Sequence, residues 1–60
     1  MFAEERQQKI YDLICQEKSI RVQQLSKLLN TSEVTVRRDL EELHRQKKII
    51  RTHGGAVAYY

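Results

Sequence analysis

A mainly helical chain closed by a small C-terminal β-hairpin is the fold class this sequence predicts, on three observations. Apolar residues recur at helical spacing in three successive stretches, each ended by polar or turn-forming residues. His53-Gly54-Gly55 then lies between two short apolar runs, as a hairpin turn would. Proline is absent and glycine occurs only at 54 and 55, so the chain has no linker and no low-complexity segment.

Sixty residues make one small domain. A chain of this size buries only about 60% of the surface exposed on unfolding, so the core must be compact and a carved catalytic cavity is not expected. Helix packing through Leu and Ile would still supply about 3–5 kcal/mol.

The first helix is expected over Ala3 to Glu17, with Phe2, Arg6, Ile10, Leu13 and Ile14 on one face. Lys18 and Ser19 end it, and Ile20 is placed in a short strand. Val22, Leu25, Leu28 and Leu29 mark a second helix of just over two turns, too short to be stable without packing. Ser26 is small enough to let a neighbouring helix approach closely. Asn30, which enters the left-handed region at little cost, suits a C-cap. Ser32 is a natural N-cap for the third helix, its hydroxyl accepting from the backbone near Val34 or Thr35 in a contact worth about 1 kcal/mol.

Val36, Leu40 and Leu43 bury one side of that third helix, which is expected to run to about Gln46. Ile49 and Ile50 open a strand, Gly54 and Gly55 supply positive φ at a two-residue turn, and Ala56 to Tyr59 return antiparallel. The expected core is Ile10, Leu13, Ile14, Leu25, Leu28, Val36, Leu40, Leu43 and one of Ile49 and Ile50. Tyr11, Tyr59 and Tyr60 are too dispersed to stack on bases and are assigned to packing at the sheet edge. Helix, three-residue turn, helix and then hairpin make a winged helix-turn-helix over residues 3–58, with the helix-turn-helix at about 22–46 and the wing at about 49–59.

Charge gives the pattern a direction. Eleven Lys and Arg against eight Asp and Glu leave a net charge of +3. The sequence pI is about 9.3, and Lys47, Lys48, Arg51 and His53 crowd the last third. Stepping about 100° per residue from the buried stripe turns Val34, Arg38 and Arg45 outward, with Thr35 and Glu42 beside them and Arg37 on the flank. Arg38 is the candidate for bidentate contact with guanine, while Val34 and Thr35 can meet a thymine methyl. Arg37 is better placed for a phosphate. Ser32 caps this surface, and Arg51, Thr52, His53, Gly54 and Gly55 form the expected wing contact with the DNA backbone or the minor groove, where a glycine turn brings backbone N–H groups close to a phosphate.

The plainer alternative is a solvated face in which Arg37 and Arg38 pair with Asp39, Glu41 or Glu42. Asp39 is expected to orient Arg37 or a neighbouring basic side chain, because phosphates repel a carboxylate. No cofactor is expected. His53, His44 and Cys15 show no recurring metal-ligand spacing, no acid-base pair or nucleophile dyad emerges, and an enzyme is not expected. The lone Cys15 and a charged N-terminus, Phe2 to Arg6, point to a reducing cytoplasmic setting, and no apolar run is long enough to span a membrane.

Arg6 with the Ile10 to Ile14 helix, Val22 and Leu25, Ser32, Thr35-Val36-Arg37-Arg38-Asp39-Leu40, Leu43, and Arg51 with His53-Gly54-Gly55-Ala56 stand in the order and spacing of a known signature. In these residues the chain resembles the N-terminal DNA-binding domain of the DeoR family of bacterial transcription regulators. The resemblance implies an operator-binding winged helix-turn-helix, part of a repressor of sugar or sugar-phosphate catabolism. It further implies a C-terminal domain, absent from these sixty residues, that binds a phosphorylated sugar effector and oligomerises the full-length protein, leaving the isolated domain monomeric. Two departures stand out. The family often carries Ala at the place of Ser26, and commonly Gly or Asn at that of Lys47, where a left-handed lysine would cost about 1–2 kcal/mol. Use of the same fold as a protein-interaction module is the alternative.

Overall fold

The computed structural model describes residues 2–59. Three helices, α1 (Ala3–Glu17), α2 (Val22–Leu29) and α3 (Glu33–Arg45), are accompanied by three strands, β1 (Ser19–Arg21), β2 (Ile49–Thr52) and β3 (Gly55–Ala58). The sheet is antiparallel in the order β1-β3-β2. The central strand is therefore the last in sequence, and the strand around Ile20 forms its outer edge. Pairing of Ile20 with Ala56 and of Arg51 with the same Ala56 sets the register. Burying one face of so small a sheet requires the helices to cover it, and they do.

Ile10 and Ile14 of α1, Leu25 of α2, Val36, Leu40 and Leu43 of α3 and Ile49 of β2 are all buried, joined by Ile20, Val22 and Ala56. Ile49 is the inward member of its pair and Ile50 faces out, as strand alternation demands. Two expectations fail. Leu28 is 63% exposed because Val22, Leu25 and Leu29 set the inward direction of α2, and Leu28 lies roughly 90° around the helix from it. Phe2 is 79% exposed, since it precedes the first helical turn and does not share the face of Ile10 and Ile14. Leu13 and Tyr11 pack partly buried against the core, Tyr59 is mostly exposed, and Tyr60 lies outside the described residues.

The helix ends obey the expected chemistry. Asn30 adopts φ 53 and ψ 50, the Asn30 N–H donates to the Lys27 carbonyl at 3.3 Å, and the Thr31 N–H donates to the Ser26 carbonyl at 3.1 Å. These are the two bonds of a Schellman ending. The Ser26 hydroxyl donates to the Thr31 carbonyl, so the serine also ties down the turn. At the other side of that turn, Ser32 Oγ accepts from the Thr35 N–H at 3.1 Å.

The end of α3 repeats the Schellman pattern with a less suitable residue. Lys47 N–H donates to the His44 carbonyl at 2.9 Å and Lys48 N–H to the Leu43 carbonyl at 3.0 Å, which places Lys47 at φ 62. A β-carbon there is strained. Lys47→Gly is expected to raise stability by about 1 kcal/mol, the relief of strain exceeding the added flexibility of the unfolded chain. Urea titration of both proteins would show it, and an unchanged or lower midpoint would contradict the strain.

The hairpin turn differs from expectation by one residue. Thr52 pairs with Gly55, so His53 and Gly54 form the two-residue loop and Gly55 is the first residue of β3. Only Gly54, at φ 84, needs left-handed backbone. Gly55 is required for another reason: a β-carbon built on it would lie 2.5 Å from the Ile20 carbonyl oxygen. Its hydrogen lets β1 and β3 close.

Candidate nucleic-acid interface

Position along α3 decides which side chains reach outward. Val36, Leu40 and Leu43 anchor the helix in the core, leaving Ser32, Val34, Arg37 and Arg38 exposed and Thr35 half-buried. The Ser32 hydroxyl donates to Thr35 Oγ1 at 2.9 Å as well as accepting from its amide, so both hydroxyls are held at the first turn. A helix N-terminus carries unsatisfied N–H groups and a partial positive charge, which favours anions.

The arginines separate by their partners. Arg37 donates to Glu33 Oε1 at 3.1 Å, one turn back, rather than to Asp39 or Glu41. The Arg38 side chain has no hydrogen bond or ion pair among the described residues and projects beside a cleft between α1 and α3 whose walls include Arg6, Gln7 and Thr35. Arg45 pairs with Glu42, and Gln46 donates to the same carboxylate at 2.6 Å. These donors, Arg45 first, hold the Glu42 carboxyl below its usual range.

Asp39 does orient a basic side chain, but that side chain is Arg6. The Arg6 guanidinium forms a fork, Nε to Asp39 Oδ2 and Nη2 to Oδ1 at 3.0 Å, and Gln7 Nε2 adds a third donor at 3.1 Å. The aspartate side chain is only 3% exposed. Hydrogen bonding to Asp39 pushes the already high Arg6 pKa higher still. This pair bolts α1 to the back of α3, one residue away from Arg38. Its effect is to fix the rotation of α3 about its own axis, and with it the direction of Arg38.

Wing and helix are fastened together. The Arg51 side chain is 19% exposed; its Nη1 contacts Glu41 Oε1, its Nε donates to the Gly55 carbonyl at 3.3 Å, and Nη1 lies 3.5 Å from the Arg37 carbonyl. Expected at the phosphates, Arg51 is in this structure the pin between hairpin and α3. Thr52, His53 and Gly54 remain exposed at the tip, whereas Gly55 is buried under β1. The Gly54 carbonyl accepts from the Val22 N–H at 3.0 Å, which seats the turn against the start of α2. Arg21, Val22, Gln23, Glu33, Arg37 and Gly54 consequently line one cleft. Helical spacing gives no sign that Arg21 and Gln23 stand beside α3, because the β1–α2 junction comes there only through tertiary packing.

Among the described residues no group of three or more His, Cys, Asp and Glu could hold a metal ion. None of the described helices is long and apolar enough to cross a membrane.

The family model of the DeoR-like helix-turn-helix domain matches residues 6–59. The uncharacterized HTH-type transcriptional regulator YulB of Bacillus subtilis is 48% identical over 58 residues, 97% of this chain and 22% of that protein. The L-fucose operon activator of Escherichia coli is 49% identical over 51 residues, covering 85% and 21%. The HTH-type transcriptional repressor GlcR of Bacillus subtilis is 46% identical over 57 residues, covering 95% and 22%. The chain thus spans about a fifth of the length of these relatives. No solved structure gave a significant match.

Proposed function

The chain belongs to the DeoR-like helix-turn-helix family, a family of DNA-binding transcription regulators, and from that premise we propose that it reads operator DNA with the outward side of α3 in the major groove. The observation that carries this is the unpaired Arg38, held beside Ser32, Val34 and Thr35 on the exposed side of a helix whose rotation is fixed from behind. Arg38 contacts guanine O6 and N7, Thr35 and Val34 meet thymine methyls, and Arg37 exchanges Glu33 for a phosphate. Thr52, His53 and the backbone at Gly54 rest on the neighbouring strand, with Arg51 and Gly55 setting the height of the hairpin. In this scheme the domain binds as part of a repressor of sugar or sugar-phosphate catabolism. The names of relatives support the two parts separately: the L-fucose operon activator supports a sugar pathway, and the transcriptional repressor GlcR supports repression. A phosphorylated sugar effector would then act through the rest of the full-length protein, which would also join domains into an oligomer on repeated half-sites and so raise their effective concentration.

The test is the affinity of the chain for duplex DNA across a salt series. If a domain neutralises about four phosphates, log K falls with log salt at a slope of roughly −3.6. Arg38→Ala is expected to cost about 1–3 kcal/mol on a selected operator while reducing preference at a single base pair. Equal losses on operator and mixed-sequence duplex would remove Arg38 from base recognition. An absence of salt-dependent duplex binding would instead favour a protein-interaction module.

A further inference from the structure

We infer that Arg21, at the junction of β1 and α2, is a backbone-phosphate contact of the domain, on the wing side where Arg51 is engaged with Glu41. The inference rests on the DNA-binding function proposed above and adds a residue that helical spacing does not indicate.

Six arginines occur in the chain. Four have their guanidinium groups committed to carboxylates: Arg6 to Asp39, Arg37 to Glu33, Arg45 to Glu42 and Arg51 to Glu41. A guanidinium in an ion pair presents little net field, so it attracts a phosphate less strongly than an unpaired one does. Arg51 is the extreme case on the wing, since it is also mostly buried and donates to the Gly55 carbonyl. Arg21 and Arg38 are the two arginines with no side-chain partner among the described residues, and both are exposed.

These two flank the start of α3. Arg38 borders the α1 side. Arg21 lines the cleft on the wing side, with Gln23, Glu33, Arg37 and Gly54. The cleft holds two arginines, Arg21 and Arg37, against the one carboxylate of Glu33, and Glu33 is paired with Arg37, so Arg21 is the arginine there without a carboxylate partner. Its position is also rigid: the Arg21 Cα pairs with Gly55 across the sheet, its N–H donates to Gln24 Oε1 at 3.1 Å, and the next amide bonds to Gly54. A helix in the major groove has a sugar-phosphate strand on each flank. With Arg38 directed at base edges, Arg21 meets the strand on the wing side.

Phosphate contacts are indifferent to sequence, so the probe is a fluorescein-labelled duplex of mixed sequence, titrated with the chain at several salt concentrations. Arg21→Gln should flatten the slope of log K against log salt by about 0.9, and should weaken mixed-sequence and operator duplexes by the same factor. Arg21→Lys, which keeps the charge and loses the fork, should retain the slope, whereas Arg45→Gln, whose parent is already paired, should not change it. A wild-type slope in Arg21→Gln, or a loss in Arg21→Lys as great as in Arg21→Gln, overturns the assignment while leaving the proposed function standing. If the unmodified chain binds duplex with no salt dependence at all, the proposed function falls and this inference with it.

Discussion

Arg6→Ala is expected to remove about 3–5 kcal/mol of stability, because it strips the guanidinium from a buried carboxylate and leaves Asp39 with Gln7 as its remaining side-chain donor. A domain of this size has only about 3–5 kcal/mol to lose, so the variant should show no cooperative thermal transition in near-physiological buffer. Arg6→Lys should fall between the two, since a single ammonium cannot reproduce the Nε and Nη2 fork. Replacing both partners with apolar residues, Arg6→Met with Asp39→Leu, should recover much of the loss, as no charge is then stranded. A cost below about 1 kcal/mol for Arg6→Ala would mean that Asp39 finds other donors and that the pair is worth no more than a surface ion pair. The functional consequence is separable from stability. The double variant should fold yet bind operator less selectively, because packing alone defines the rotation of α3 less sharply than a forked ion pair.

Gly55→Ala is the second large effect. The added carbon would meet the Ile20 carbonyl oxygen at 2.5 Å and the Arg21 Cα at 3.1 Å, both backbone atoms that cannot rotate away. Relief requires β1 to move off β3, which breaks the Ser19–Arg21 pairing and disturbs Ile20 in the core. The expected loss is about 3 kcal/mol, the upper end of overpacking costs. Gly54→Ala is the control, with open space around its added carbon but φ 84, and should lose about 1–2 kcal/mol through strain alone. Denaturant midpoints of the two variants decide the matter. Equal losses, or a larger loss at Gly54, would show that turn conformation rather than the β1–β3 approach is what position 55 supplies.

The two cases mark a boundary in what a sequence discloses. The expectation for Gly54-Gly55 as a turn pair came from local chemistry, and local chemistry is right about Gly54. It is wrong about Gly55, expected to share the positive φ: that residue begins β3, and its constraint comes from a strand more than thirty residues earlier in the chain. Likewise an aspartate next to two arginines on a helix looks like their local partner, yet Arg6 reaches it from another helix. Arg51 was placed at the DNA for its position before the glycines, and its contact with Glu41 of α3 was not among the expectations.

What the sequence determined by itself is therefore everything set by spacing along one segment. Apolar periodicity defined α1, α2 and α3 and the inward line of Val36, Leu40 and Leu43; Asn30 and Ser32 ended one helix and began the next; the order of signature residues carried the family. The periodicities and the caps depend on neighbours within about four residues, where chain geometry fixes who meets whom. Tertiary structure decided the pairings between segments: Arg6 with Asp39, Arg51 with Glu41, Gly55 beneath Ile20, Arg21 beside α3, and Leu28 left in solvent. A polar side chain has several chemically acceptable partners in the sequence, and only the packing of helices against the sheet brings one of them within hydrogen-bond reach.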